Sequence, residues 1–432
     1  MDEPDLGQNF GHDLFFLRRA GDKAQKEHLG EGGHLQFGDR GFSQHPRIKG
    51  FPAGRRDGVD LFVAPFVHPF LKDHQPFGEQ VLHRHLQAAV TGAVERRDAL
   101  LEGPVQLIQR QGLNYRFPSD SADRPFHVAS IGKVFTAVLV RRLAERGVLC
   151  VTDPVLRYFS RPDLDRLFVY RGVDYAEQVT LEHLLSHTSG IADYFEGRTA
   201  DGRAFLDQVL SRPQVRWTPR QLIDFTRDHQ AAVGVPGQVF NYSDTGYVLL
   251  GLIIERATGR SFARNLAEEI FEPLEMRDSY LMFHAEPGRA PGQAIETIWF
   301  NEVEISRFES LSCDWAGGGI ISTPADLLKF SRALRGGQLI PSAALAAMDA
   351  CQRRFRPGIY YGSGMMEIRF AEFFFLLGRL PRLKGHIGIL ATHLFYDPSR
   401  AAHIVMNFGS NTRMVASFQA LIEIAAILQR LG

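Results

Sequence analysis

The sequence predicts an α/β chain of the α+β type, and three patterns carry that expectation. Short apolar runs bounded by turn residues lie near Val105 to Phe117 and again over 359–368 and 383–408, and read as antiparallel strands. Between them, residues from about 150 to 275 are mostly helical patterns broken by Pro and Gly. A closing helical pattern covers 413–430, so the sheet is assembled from both ends of the domain. At 432 residues, with 44% hydrophobic content, the chain can bury one large core or two lobes.

The first 85 residues are a different material. They hold eight of the sixteen histidines and twelve glycines, yet no Tyr, Trp, Thr or Cys and a single Ser. No helical or strand period persists there, and no tight ligand spacing supports a histidine-rich metal-binding arm. The expectation is a poorly ordered extension over residues 1–85 without a catalytic role, ahead of a domain over 86–432. A second reading is that translation starts further downstream at a non-methionine codon, since the next methionine is Met276. Met1-Asp2-Glu3-Pro4-Asp5 has neither a basic nor an apolar leader character. As written, the chain is expected in the cytoplasm; a different N-terminus would allow the periplasm or secretion.

The elements then follow in order. Val105 to Gln109 and Leu113 to Phe117 form two strands joined at Gln111-Gly112. Ile131, Val134, Phe135, Val138, Leu139 and Leu143 recur at helical spacing. Pro236-Gly237 marks a turn before a helix whose apolar face runs from Tyr247 to Ile254. Gly317-Gly318-Gly319 predicts a tight turn before a helix capped near Thr323, with Pro324 in its first turn and Asp326 following. Cys150, Cys313 and Cys351 are odd in number and widely spaced, as buried thiols are, and outline neither a disulfide framework nor a zinc site. The 49 basic and 49 acidic residues cancel, so no global field favours nucleic acid or an anionic membrane. No apolar run reaches eighteen residues, and no membrane span is expected.

Three motifs carry chemistry. Ser130-Ile131-Gly132-Lys133 is the only Ser-x-x-Lys in a chain with seven lysines. Three residues is almost one helical turn, so hydroxyl and amine share a face. The pair is either an N-capping Ser with a solvated Lys, or a nucleophile with its base. Tyr242-Ser243-Asp244 precedes the next strong helix and offers a second proton carrier. His386-Ile387-Gly388, with Lys384-Gly385 before it and Ile389 after it, sits among strand patterns. A glycine there lets a substrate lie against the strand, where a backbone N–H can help hold an oxyanion. His183 and His187 are four apart on a helix, but no third ligand follows, and they are read as structural.

In this order the motifs resemble the serine β-lactamase and penicillin-binding protein superfamily, in its class C-like branch. LLSHTSGI at Leu184 to Ile191, PLEMRDS at Pro273 to Ser279, DWAGGGIIST at Asp314 to Thr323 and GHIGILATHLFYDP at Gly385 to Pro398 extend the resemblance over roughly Leu100 to Gly432. It implies a β-lactamase/DD-peptidase-like fold, an antiparallel sheet flanked by helices with a mostly helical second lobe. It also implies a serine hydrolase with Ser130 as nucleophile, Lys133 and Tyr242 sharing the proton transfers, and the N–H groups of Ser130 and Ile389 as oxyanion hole. Asp244, His386, Gly388 and Ile389 would contact the substrate. No metal or organic cofactor is required, and the partner is a small ester, amide or peptide rather than nucleic acid.

Two departures bear on the substrate. His386 stands where β-lactamases carry the lysine associated with a substrate carboxylate, and a neutral imidazole is a poorer anchor for an anion. Asp244 stands where asparagine is usual; it only accepts hydrogen bonds and favours the charged form of Lys133. Both point to an esterase or D-amino-acid peptidase or amidase. The alternatives are a β-lactamase or DD-carboxypeptidase and, from another class, a non-catalytic penicillin-binding-like sensor or scaffold.

Overall fold

The computed structural model describes Arg84 and residues 105–110, 113–116, 123–287 and 294–430. Apart from Arg84, the extension expected over residues 1–85 lies outside the described residues, as does Phe117.

The main antiparallel sheet consists of β1 (Val105–Arg110), β2 (Leu113–Arg116), β3 (Arg353–Arg356), β4 (Ile359–Tyr361), β5 (Met366–Ile368), β6 (Leu383–Gly388), β7 (Thr392–Asp397) and β8 (Ala402–Asn407). Their spatial order is β3-β4-β5-β6-β7-β8-β1-β2. The six C-terminal strands form a meander, and the N-terminal hairpin completes one edge. Buried Ile108 lies opposite buried Ile404, and Ile404 opposite buried Phe395, so a hydrophobic row crosses β1, β8 and β7. The sheet is thus built from both ends of the domain, with antiparallel strands and packed helices.

Five longer helices pack around this frame: α1 (Gly132–Glu145), α2 (Pro219–His229), α3 (Asp244–Thr258), α4 (Pro324–Arg335) and α5 (Met414–Arg430). Eleven of the fourteen α1 residues are buried, which makes it a core helix rather than an amphipathic surface one. Phe135 on α1 stacks on Phe330 of α4 with ring centroids 3.7 Å apart. The residues Ser417, Leu421, Ile424 and Leu428 of α5 are buried at helical spacing. At the start of α4 the Asp326 N–H donates to the Thr323 hydroxyl at 3.2 Å, with Pro324 first in the helix. Among the described residues, no helix is long and apolar enough to cross a membrane.

One local expectation changes. Residues Trp315–Gly318 form a short helical turn and Ile320–Ser322 a strand, where the three glycines predicted a tight turn. Close packing explains the glycines. A Cβ on Gly132 would stand 2.9 Å from the Gly318 Cα, and one on Gly318 would stand 2.9 Å from the carbonyl carbon of Ala129. Gly318→Ala therefore pushes on the backbone beside Ser130. We expect it to cost about 1–3 kcal/mol and to lower kcat more than it changes KM. Thermal melting and steady-state kinetics check this, and parent-like values for both would show that the turn has room.

Candidate active site

Ser130 sits in a turn, Ala129–Ile131, that runs straight into α1. Ala129 has φ of +50°, a left-handed conformation that a residue with a Cβ adopts only when its surroundings hold it there. Two contacts hold it: the Ala129 N–H donates to His127 Nδ1 at 3.1 Å, and the Val128 N–H donates to the Ile320 carbonyl at 2.9 Å. The bond into Nδ1 leaves the proton of a neutral imidazole on Nε2, which lies 3.5 Å from Asp314 Oδ2. Burial lowers the His127 pKa to about 4, so this imidazole is neutral.

Lys133 is 0% exposed, and its Nζ reaches three oxygens: Asp244 Oδ1 at 2.5 Å, the Gly317 carbonyl at 2.9 Å and Ser130 Oγ at 3.1 Å. Three acceptors match the three donors of an ammonium. The Tyr242 hydroxyl hydrogen-bonds with Ser130, and Nζ lies 4.9 Å from the Tyr242 ring centroid. Burial, then the neighbouring Asp244 charge, push the Tyr242 phenol well above its ordinary value, so it keeps its proton at neutral pH. Ser130, Lys133, Tyr242 and Asp244 thus come together around one hydroxyl.

The segment between α2 and α3 that carries Tyr242 is clamped by residues 187–193. His187 Nδ1 accepts from the Ser243 N–H at 3.0 Å, and Asp193 Oδ1 accepts from the Asp244 N–H at 2.8 Å. The Ser243 hydroxyl donates to the Ala192 carbonyl at 2.8 Å and also accepts from the Gly246 N–H, which caps α3. His187 is therefore a positioning group, and His183 likewise accepts a backbone bond, from the Thr180 N–H.

Negative charge is crowded here. Burial, and then the Asp244 charge, raise the pKa of Asp193 and that of Asp314, the latter to about 7. Asp244 pairs with Lys133, while Asp193 and Asp314 both feel the Asp244 charge.

His386 comes close to this set, with its ring 6.4 Å from that of Tyr242, but it is 0% exposed. Its Nδ1 lies 2.8 Å from the Ile387 carbonyl and its Nε2 3.4 Å from the Tyr361 hydroxyl. The first contact requires a proton on Nδ1, so Nε2 accepts from Tyr361. Burial and the nearby Lys133 charge lower its pKa to about 3. Gly388 is also required by packing. A Cβ there would collide with the Thr392 hydroxyl and stand 2.7 Å from Ala129 Cβ and 2.8 Å from the Val128 carbonyl, so the neighbours that demand glycine are Thr392 and the turn that bears Ser130. Ile389 follows directly.

Several functional contacts escaped sequence reasoning. The Gly317 carbonyl, Asp193, Asp314 and Tyr361 all act through long-range contacts; only Asp314 and Gly317 lay in a segment the motifs had marked. Among the described residues, no group of three or more His, Cys, Asp or Glu could hold a metal ion.

Residues 117–428 match the Beta-lactamase family. Curated relatives include penicillin-binding protein 4 of Amycolatopsis lactamdurans, 30% identical over 251 residues (53% of this chain, 57% of the relative), and esterase EstB of Burkholderia gladioli, 31% identical over 215 residues (45% and 50%). The chain spans about half the length of the curated relatives it matches. Among solved structures, a D-stereospecific amidohydrolase from Streptomyces sp. superposes with a TM-score of 0.65 at 26% identity, over 79% of this chain and 98% of that one. With the family matched over most of its length and the same fold in its neighbours, this chain belongs to the beta-lactamase family.

Proposed function

We propose that the protein is a serine hydrolase that forms an acyl-enzyme on Ser130 from small esters or amides, of the esterase or D-amino-acid amidase kind. The observation that carries this reading is the convergence of the Lys133 ammonium and the Tyr242 phenol on one serine hydroxyl. A scaffold needs none of the three.

In this scheme substrate binding excludes water, and Nζ passes one proton to Asp244 across their 2.5 Å contact. The freed amine takes the Ser130 proton as Oγ bonds to the carbonyl carbon. Tyr242 gives its proton to the departing alkoxide or amine and is reprotonated from Lys133. Water then attacks the ester carbonyl, its proton passes through the same pair, and Ser130 Oγ leaves with one. The main-chain N–H groups of Ser130 and Ile389 serve the oxyanion in both halves. Asp244 is thus the residue that holds the extra proton while Lys133 works.

Charge sets the substrate preference. His386 is buried and neutral, and Lys133 is already paired with Asp244, so a substrate carboxylate would find no free counter-ion. The relatives named as esterase and as D-stereospecific amidohydrolase fit this preference. We expect kcat/KM for p-nitrophenyl acetate to exceed that for nitrocefin by at least about 100-fold, the effect of a few kcal/mol of absent charge pairing. A nitrocefin rate rivalling the best ester would replace this reading with a β-lactamase one. Failure of a fluorophosphonate and of a fluorescent penicillin to label Ser130 would replace it with a non-catalytic one.

A further inference from the structure

Whole-chain neutrality conceals a local imbalance. Between Arg353 and Lys384 lie six arginines and one lysine against two glutamates, a surplus of five positive charges in a chain whose total is zero. Both glutamates are engaged: Glu367 pairs with Arg369, Lys384 and Arg382, and Glu372 lies 4.0 Å from Arg354. Arg353, Arg354, Arg379 and Arg382 are exposed.

The connection between β5 and β6 presents apolar side chains in the middle of this field. Its sequence, Phe373-Phe374-Phe375-Leu376-Leu377, is one uninterrupted apolar run. Part of it is anchored: Phe370 and Leu377 are buried, and Phe373 packs on Phe370 and on Phe418 of α5 with centroids 6.2 and 5.7 Å away. Phe375 and Leu376 turn outward. Phe375 is 75% exposed and Leu376 48%, whereas the other exposed large hydrophobics among the described residues are single valines. An exposed aromatic beside a second exposed apolar residue, held out by a packed base in an arginine-rich stretch of chain, is unusual for a surface that meets only water. The arginines of β3 also guard a sheet edge. That role explains their charge and leaves Phe375 unexplained.

We infer that this excursion is an interfacial anchor that seats the protein on a lipid surface carrying anionic headgroups. Phe375 and Leu376 enter the acyl boundary, while Arg379, Arg382 and the β3 arginines meet the headgroups. The arginine-bearing strand β3 adjoins the residues around Ser130. Phe355 of β3 packs on Tyr242 with centroids 5.0 Å apart, and Arg353 donates to the Gly237 carbonyl in the loop leading to Tyr242. Docking through β3 would bring the Ser130 site toward the bilayer and favour amphiphilic substrates.

The test is sedimentation of the full chain with vesicles of phosphatidylcholine alone or mixed in equal parts with phosphatidylglycerol, at low and high salt. We expect binding that requires phosphatidylglycerol, weakens with salt, and falls about tenfold or more in Phe375→Ser/Leu376→Ser. Arg379→Glu/Arg382→Glu should lose the phosphatidylglycerol dependence, with both variants melting as the parent does. Equal binding to both vesicle types, or parent-like binding by both variants, would overturn the inference. So would a dimer that Phe375→Ser/Leu376→Ser dissolves, because the patch would then be covered by a second copy.

Discussion

Ser130→Ala is expected to lower kcat for p-nitrophenyl esters by a factor of roughly 10⁴ or more, to the level that binding and oxyanion contacts alone supply. The change removes one oxygen from a half-buried position and leaves Lys133 with Asp244 and the Gly317 carbonyl as partners. The fold therefore has no reason to suffer, and the melting temperature should stay within a few degrees of the parent's. Covalent labelling by a fluorophosphonate should vanish in parallel. Ester hydrolysis surviving in purified Ser130→Ala protein would show that another group attacks the carbonyl.

The second large effect separates catalysis from stability. Lys133→Met deletes the ammonium that compensates Asp244, in a neighbourhood where Asp193 and Asp314 are already pushed toward their protonated forms. Breaking a buried pair from one side typically costs about 3–5 kcal/mol, and catalysis should fall at least about 10³-fold with the loss of the base. Lys133→Met/Asp244→Asn removes the orphaned charge as well. Urea unfolding should show most of the lost stability restored, with activity as low as in the single variant. If the double variant stays as unstable as Lys133→Met, the cost lies in packing around the lysine stem instead of in the stranded carboxylate.

The parts of the site that could be read in the sequence are the local ones. Ser130 and Lys133 are a helical turn apart, and backbone geometry alone brings their side chains near each other. The Ser243 cap follows from a polar residue standing before an apolar helix. Tyr361 has no such signature: it is one aromatic in a short strand, and its value comes from Tyr242 and His386 packing beside it across the sheet. The same holds for Asp193, whose role depends on the Asp244 N–H, distant in sequence at the start of α3, donating to its carboxylate. Gly317 to Gly319 misled because glycine is a poor helix former in isolation, and only contact with Gly132 and Ala129 makes a helical turn of small residues the best solution there. The sheet itself was legible from alternating and apolar runs, whereas its strand order depends on pairings between distant segments.

That strand order has a consequence for how the protein comes into being. Val105 pairs with Asn407, and the turn bearing Ser130 rests against Gly388, so that turn is shaped by chain that the ribosome delivers well after the serine itself. Such distant pairing is slow to form. A growing chain can assemble α1 and α3 early, but it carries an unpaired hairpin and no finished catalytic centre until β6, β7 and β8 emerge. On the proposed function, activity is withheld from any copy that still lacks these strands.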